Sequence, residues 1–110
     1  MALSVLRNTR QFNQVYKRGK SIVTKHVVMY YVKNDLDYNQ VGFSVSKKVG
    51  KAVVRNRVKR LMKESFRLNA VNLVVGYDII FVARVRLKDS NYREVEKAML
   101  YCFRKGKLMR

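Results

Sequence analysis

Residues 40–68 read QVGFSVSKKVGKAVVRNRVKRLMKESFRL, and the periodicity of the chain changes within them. Over residues 40–46, Val41, Phe43 and Val45 alternate with Gly42, Ser44 and Ser46. A period of two predicts a strand with one apolar face and one small, polar face. From residue 53 the spacing becomes helical, and a helix is predicted over 53–68. At about 100° per residue, Val54, Val58, Leu61, Met62 and Ser65 share one side, with Phe66 at its margin. Asn56, Lys59, Arg60, Lys63 and Arg67 fall on the opposite side. Arg55 and Arg57 lie near the seams, where long stems can run along apolar neighbours while the charged heads reach water. Once the apolar side packs on a sheet, the cationic side must face outward as a stripe about three turns, or roughly 15 Å, long. A merely solvated helix face usually mixes signs at i,i+4. Here Glu64 is the one acid, so the stripe reads as a binding surface. The preceding SKKVGK, residues 46–51, is a cationic loop with a flexible glycine that would extend it.

Working outward, residues 9–18 (TRQFNQVYKR) place Phe12, Val15 and Tyr16 at helical spacing. Asn8 or Thr9 is the candidate cap at the start, and Gly19 the candidate C′ glycine. Residues 26–32 (HVVMYYV) are β-branched and aromatic and predict a strand. Across the polar connector KNDLDYN, this strand and 40–46 are expected to pair as an antiparallel hairpin. Residues 78–84 (DIIFVAR) predict a third strand, apolar enough to be central. Asn91 with Glu94 three residues on suggests a capping box. It opens a final helix that aligns Val95, Ala98, Met99 and Cys102 on one face. A further short strand fits within 17–25. Residues 1–7 and 105–110 are expected to fray. The order is that of an α+β sandwich, with helices on a small sheet. No proline, repeat or linker interrupts it, so residues 1–110 are expected to form a single domain.

The case for RNA begins with charge. The 110 residues carry 25 Lys and Arg against 7 Asp and Glu, a net charge of +18, yet 48% are hydrophobic. Such a chain has enough apolar material for a core, unlike a disordered basic tail. Its self-repulsion would be relieved by a polyanion that releases condensed counterions on binding. Solubility alone needs a net charge of only about 2–8. The rival anionic partner, a membrane surface, would suit one polybasic block beside an anchor, whereas these basic residues are spread along the chain. No apolar run approaches the roughly 20 residues needed to span a bilayer. The start, MALSVLRNTRQF, does not fit a signal peptide, and a cytoplasmic protein is expected. With Cys102 the only cysteine, neither an internal disulfide nor a cysteine-built zinc site is available. Asp35, Asp37, Glu64, Asp78, Asp89, Glu94 and Glu96 form no recognisable metal-nuclease constellation, and His26 has no second histidine to work with. No catalytic or metal-ligating residue is therefore assigned.

The run FSVSKKVGKAVVRNRVKRLMKESFR resembles the bacterial ribonuclease P protein component, in which a Ser-Lys-Lys-x-Gly loop precedes an Arg-Asn-Arg helix. FNQVYKRG is similar to that family's first helix. The resemblance implies an αβββαβα-type sandwich: a small mixed sheet packed by helices, with an unusual left-handed βαβ crossover around the central helix. It also implies a protein that binds a large catalytic RNA and supports endonucleolytic removal of the 5′ leader from precursor tRNA. Catalysis would belong to the RNA, with magnesium at the RNA active site. No cofactor would be held by the protein alone, and no protein partner would be required. The family's motif maps onto Arg55, Asn56, Arg57, Lys59 and Arg60, continuing to Lys63 and Arg67, with Lys47, Lys48 and Lys51 on the same surface. Phe12, Tyr16 and Tyr30 match the family's aromatic cleft for single-stranded leader, and Ser44 and Ser46 would leave space there. The family's C-terminal aromatic has no counterpart in Lys107-Leu108-Met109-Arg110. A structural ribosomal protein would share the size and charge; co-sedimentation with ribosomal subunits would distinguish it. An anionic-membrane binder would be distinguished by vesicle flotation that survives salt and nuclease.

Overall fold

In the computed structural model, which describes residues 4–110, the chain runs β1 (Ser4–Val5), α1 (Thr9–Arg18), β2 (Lys20–Val23), β3 (Val27–Lys33), β4 (Gln40–Ser44), α2 (Ala52–Asn69), β5 (Tyr77–Ala83) and α3 (Tyr92–Lys105). Short 3-10 turns at Ala70–Asn72 and Val85–Asp89 lead out of α2 and into α3. The sheet order is β1-β4-β5-β3-β2. β5 is central, as its apolar sequence predicts, and β2 is the extra strand that fits within 17–25.

The hairpin expected between β3 and β4 does not form. β5 lies between them, antiparallel to β3 from Val27↔Ala83 to Lys33↔Tyr77 and parallel to β4 from Gln40↔Asp78 to Ser44↔Val82. The reason lies in the apolar content of Ile79–Phe81. Inserted centrally, β5 is buried on both faces; at an edge, half of it would meet water. Asn39 fixes the arrangement from the connector: its Oδ1 accepts from the Tyr77 amide at 2.9 Å, and its Nδ2 donates to the Val74 carbonyl at 2.8 Å. β4, α2 and β5 thus form the parallel βαβ crossover that the family resemblance implies.

Alternation sorts the side chains into two layers. Val27, Met29, Val41, Phe43, Ile79, Phe81 and Ala83 face α2 and α3, where Val58, Met62, Phe66, Val95, Met99 and Phe103 close the main core. Phe81 stands at its centre, edge-on to Phe103 at 5.5 Å and stacked with Phe43 at 6.4 Å. On the other face α1 packs over β3 and β5, and Leu6, Val15 and Ile80 form a smaller core. Each such buried side chain stabilises the fold by about 1.5–3 kcal/mol relative to exposure.

The expected capping box is present at Asn91 with Glu94, and of the two candidate caps for α1 it is Asn8 that serves, in a capping box with Gln11 that was not expected. Gly19 is not a left-handed C′ residue: its φ of −87° and ψ of 167° are extended. Glycine is needed there for close approach, because a Cβ would lie 2.6 Å from the Val15 carbonyl oxygen and 2.8 Å from that of Tyr31.

The chain ends also depart from expectation. Ser4 and Val5 pair parallel with β4, and Leu6 is buried; residues 1–3 of the stretch expected to fray lie outside the described residues. At the other end Leu108 is buried and Met109 bridges Leu73. The Arg110 amide donates to Asn72 and its side chain to the Leu73 carbonyl. Two isolated apolar residues in a basic tail give no periodicity from which this docking could be read.

Candidate nucleic-acid interface

α2 carries the first surface. Val58, Met62, Ser65 and Phe66 are buried, with Val54 and Leu61 half-buried beside them. Phe66 sits deeper than its margin position predicts, edge-on to Phe43 and Phe103. With this side fixed inward, Asn56, Arg60 and Lys63 are exposed and follow at i, i+4 and i+7, a line of ~10 Å at the helical rise. Among the described residues their side chains make no hydrogen bond or ion pair. Val53 is 80% exposed one turn before them, an apolar contact point within a cationic surface that periodicity alone did not single out.

The other residues of the motif are more constrained. Arg57 turns toward the 3-10 turn before α3, donating from Nη2 to the Ser90 carbonyl at 2.9 Å and from Nη1 to that of Lys88 at 3.4 Å. It fastens this segment to α2 besides contributing charge. Arg55 and Lys59 are half-buried. Arg67 is paired with Glu64 at 2.5 Å, which raises its own pKa and lowers that of the carboxyl through their hydrogen bond. The fully exposed cationic heads without a partner among the described residues are thus Arg60 and Lys63, in the middle of the helix. The loop before the helix adds exposed Lys47, Lys48 and Lys51 and is anchored by Val49, 2% exposed.

The second surface lies across the sheet. Phe12, Tyr16 and Tyr30 are brought together: Tyr16 and Tyr30 meet edge-on at 4.8 Å, and Phe12 and Tyr16 at 6.3 Å. Phe12 is half-buried in the smaller core, whereas Tyr16 is 38% exposed. Partial burial raises the Tyr16 pKa, against the pull of the adjacent Ser44 hydroxyl. Gly42 makes room for Phe12, whose Cζ would lie 2.5 Å from a Cβ at that position. Beyond α1 the register aligns Ser44, Val82, Val28 and Val23 in one row across the sheet. None of the four is fully buried. This partly exposed row borders the aromatic trio on the α1 face of the sheet, where a cleft is expected, and the reading by residue type missed its three valines because exposed valines resemble core until the register is known. Ser46 lies past the end of β4, where strand alternation no longer sets its side.

The acids are dispersed and mostly occupied: Asp78 accepts from Asn34, Glu94 caps α3, and Glu96 accepts from Asn69 and Tyr92. Cys102 is fully buried, and burial pushes its thiol up to about 12, the environment of a packing residue.

Comparison with known proteins establishes the family. The family described as Ribonuclease P matches residues 2–107. The chain belongs to this family. The ribonuclease P protein component of Alkaliphilus metalliredigens is 50% identical over 104 residues, covering 94% of each chain. That of Clostridioides difficile is 50% identical over 95 residues, 86% of this chain and 83% of the other. Among solved structures, the Staphylococcus aureus RNase P protein superposes with a TM-score of 0.90 at 29% identity, covering 99% of this chain and 100% of that one. The Thermotoga maritima RNase P protein gives 0.85 at 32% identity, with 93% and 96% covered. The chain is therefore a ribonuclease P protein subunit, a component of a tRNA-processing enzyme. No helix among the described residues is long and apolar enough to cross a membrane.

Proposed function

We propose that this ribonuclease P subunit uses the outward face of α2, with the 46–51 loop, to bind the large catalytic RNA, and the cleft beside α1 to hold the single-stranded 5′ leader of precursor tRNA. The RNA positions magnesium and performs hydrolysis; the protein screens phosphate repulsion and orients the substrate, acting in the cytoplasm. The observation that supports this most is the separation of two chemistries by one sheet. One surface offers a line of donors suited to phosphate, and the other offers aromatic and apolar faces suited to unpaired bases. Phosphate contacts hold register without reading sequence. Base stacking tolerates any sequence and contributes ~1–3 kcal/mol per base, a useful property because leaders differ among tRNA genes. The β4–α2 connection links the surfaces: Ser44 lies in the cleft floor, and Lys47, Lys48 and Lys51 follow within seven residues.

Tyr16→Ala is expected to weaken holoenzyme binding of leader-bearing precursor tRNA by about 1–2 kcal/mol and to leave mature tRNA unaffected. Equilibrium binding of the two substrates checks this. An equal loss for both would remove Tyr16 from the leader site.

A further inference from the structure

A groove of about 620 Å³ lies at the far edge of the sheet, apart from α2 and adjoining the second surface at Val23. Val23 ends β2, Lys25 and His26 come from the β2–β3 turn, Arg84 follows β5, and Lys97 and Tyr101 come from α3. Val23 is 60% exposed and Tyr101 47% exposed. Arg84 also braces the turn, donating from Nη1 to the Thr24 carbonyl at 2.9 Å. The one carboxylate in the lining, Glu94, is engaged in capping α3 at the Asn91 amide, 3.0 Å away. Three cationic side chains thus surround an accessible aromatic ring, a combination complementary to an anion that carries flat bases.

The position of the groove identifies which anion. Val23 is both the last residue of the row beside the aromatic trio and part of the groove lining. The row starts at Ser44 on β4, the strand that leads into the lysine loop and that α2 covers from the opposite face. It crosses β5 and β3 and reaches β2 after three strand spacings, ~14 Å. On the proposed function, on which this inference rests, the catalytic RNA lies at the β4 side. A leader leaving it and crossing the sheet arrives at the groove only with its more distal nucleotides. We infer that the groove is a second leader site, binding nucleotides beyond those held by Tyr16 and Tyr30 through stacking on Tyr101 and phosphate contacts to Lys25 and Lys97.

The test uses the reconstituted holoenzyme and one precursor tRNA with leaders of about five and about fifteen nucleotides, within the span that single-strand sites cover. Lys25→Gln/Lys97→Gln and, separately, Tyr101→Ala should each reduce the affinity advantage of the long leader over the short one by about fivefold or more, the equivalent of one stacked base. An unchanged advantage in both variants overturns the proposal. So does an equal loss for both leaders accompanied by weaker binding of the free catalytic RNA, which would assign the groove to that RNA. Tyr16→Ala is measured alongside. If it distinguishes leader from no leader while the groove variants do not sense length, only the groove assignment fails. If none of the variants senses the leader, the cleft reading and the groove assignment fall together.

Discussion

Arg60→Ala/Lys63→Ala is expected to weaken binding of the catalytic RNA about a hundredfold and to leave the stability of the free protein nearly unchanged. Each side chain is exposed and has no partner among the described residues, so its removal strands none of them. Each charged hydrogen bond to phosphate contributes ~1.5 kcal/mol. Two such losses total ~3 kcal/mol, or about two decades in affinity. The plot of log affinity against log salt should become shallower by about two, one for each phosphate contact. Arg57→Ala makes the contrasting case. It removes charge from the same helix but also leaves the Ser90 and Lys88 carbonyls without their donor. Its thermal midpoint should therefore fall along with its RNA affinity. Binding titrations over a salt series, with melting curves of the free variants, separate these outcomes. An unchanged salt slope for the double variant would exclude Arg60 and Lys63 from the interface.

Gly42→Val is expected to disable the leader cleft from beneath. A Cβ there would lie 2.5 Å from Phe12 Cζ and 3.0–3.2 Å from its Cε atoms, before the two methyl groups are counted. Either the ring leaves the sheet, carrying α1 and Tyr16 away from Tyr30, or β4 shifts. Overpacking of this kind costs about 1–3 kcal/mol, which for a domain of this size lowers the melting temperature by roughly 4–8 °C per kcal/mol. The leader's contribution to binding should be lost, while the outward face of α2 still binds the catalytic RNA. Precursor and mature tRNA binding should converge in this variant. A retained leader advantage would show that Phe12 and its neighbours do not form the site.

The contrast between α2 and β4 shows how far residue patterns reach. α2 was legible because its two faces differ in both charge and size, and one period accounts for both. The capping box at Asn91 was legible because it is local chemistry, whereas at α1 residue type alone left Asn8 and Thr9 as alternatives. The neighbours of β4 were not. Val41 and Phe43 say which way the strand faces but not which strand lies beside it, and the polar connector at 33–39 suits a hairpin as well as a crossing to the far side of β5. The same limit hid the row beside the aromatic trio: Val23, Val28 and Val82 come from three strands and meet only through register. Ordering of the C-terminus depends on Leu108 and Met109 reaching the core, contacts that leave no trace in local spacing. Tyr16 and Tyr30 were assigned to the expected cleft through family likeness together with the value of an aromatic ring that keeps a polar tip in water, and the structure brings the two rings together.

Site-specific crosslinking tests the central claim most directly. Cys102 is buried, with its thiol pushed up to about 12, so a cysteine introduced elsewhere provides the reactive thiol. A photo-crosslinker on Lys63→Cys, on the outward face of α2, is compared with one on Lys105→Cys, exposed in the last turn of α3. In the assembled holoenzyme the Lys63 position should crosslink efficiently to the catalytic RNA and the Lys105 position weakly. Efficient crosslinking from Lys105, with none from Lys63, would contradict the account.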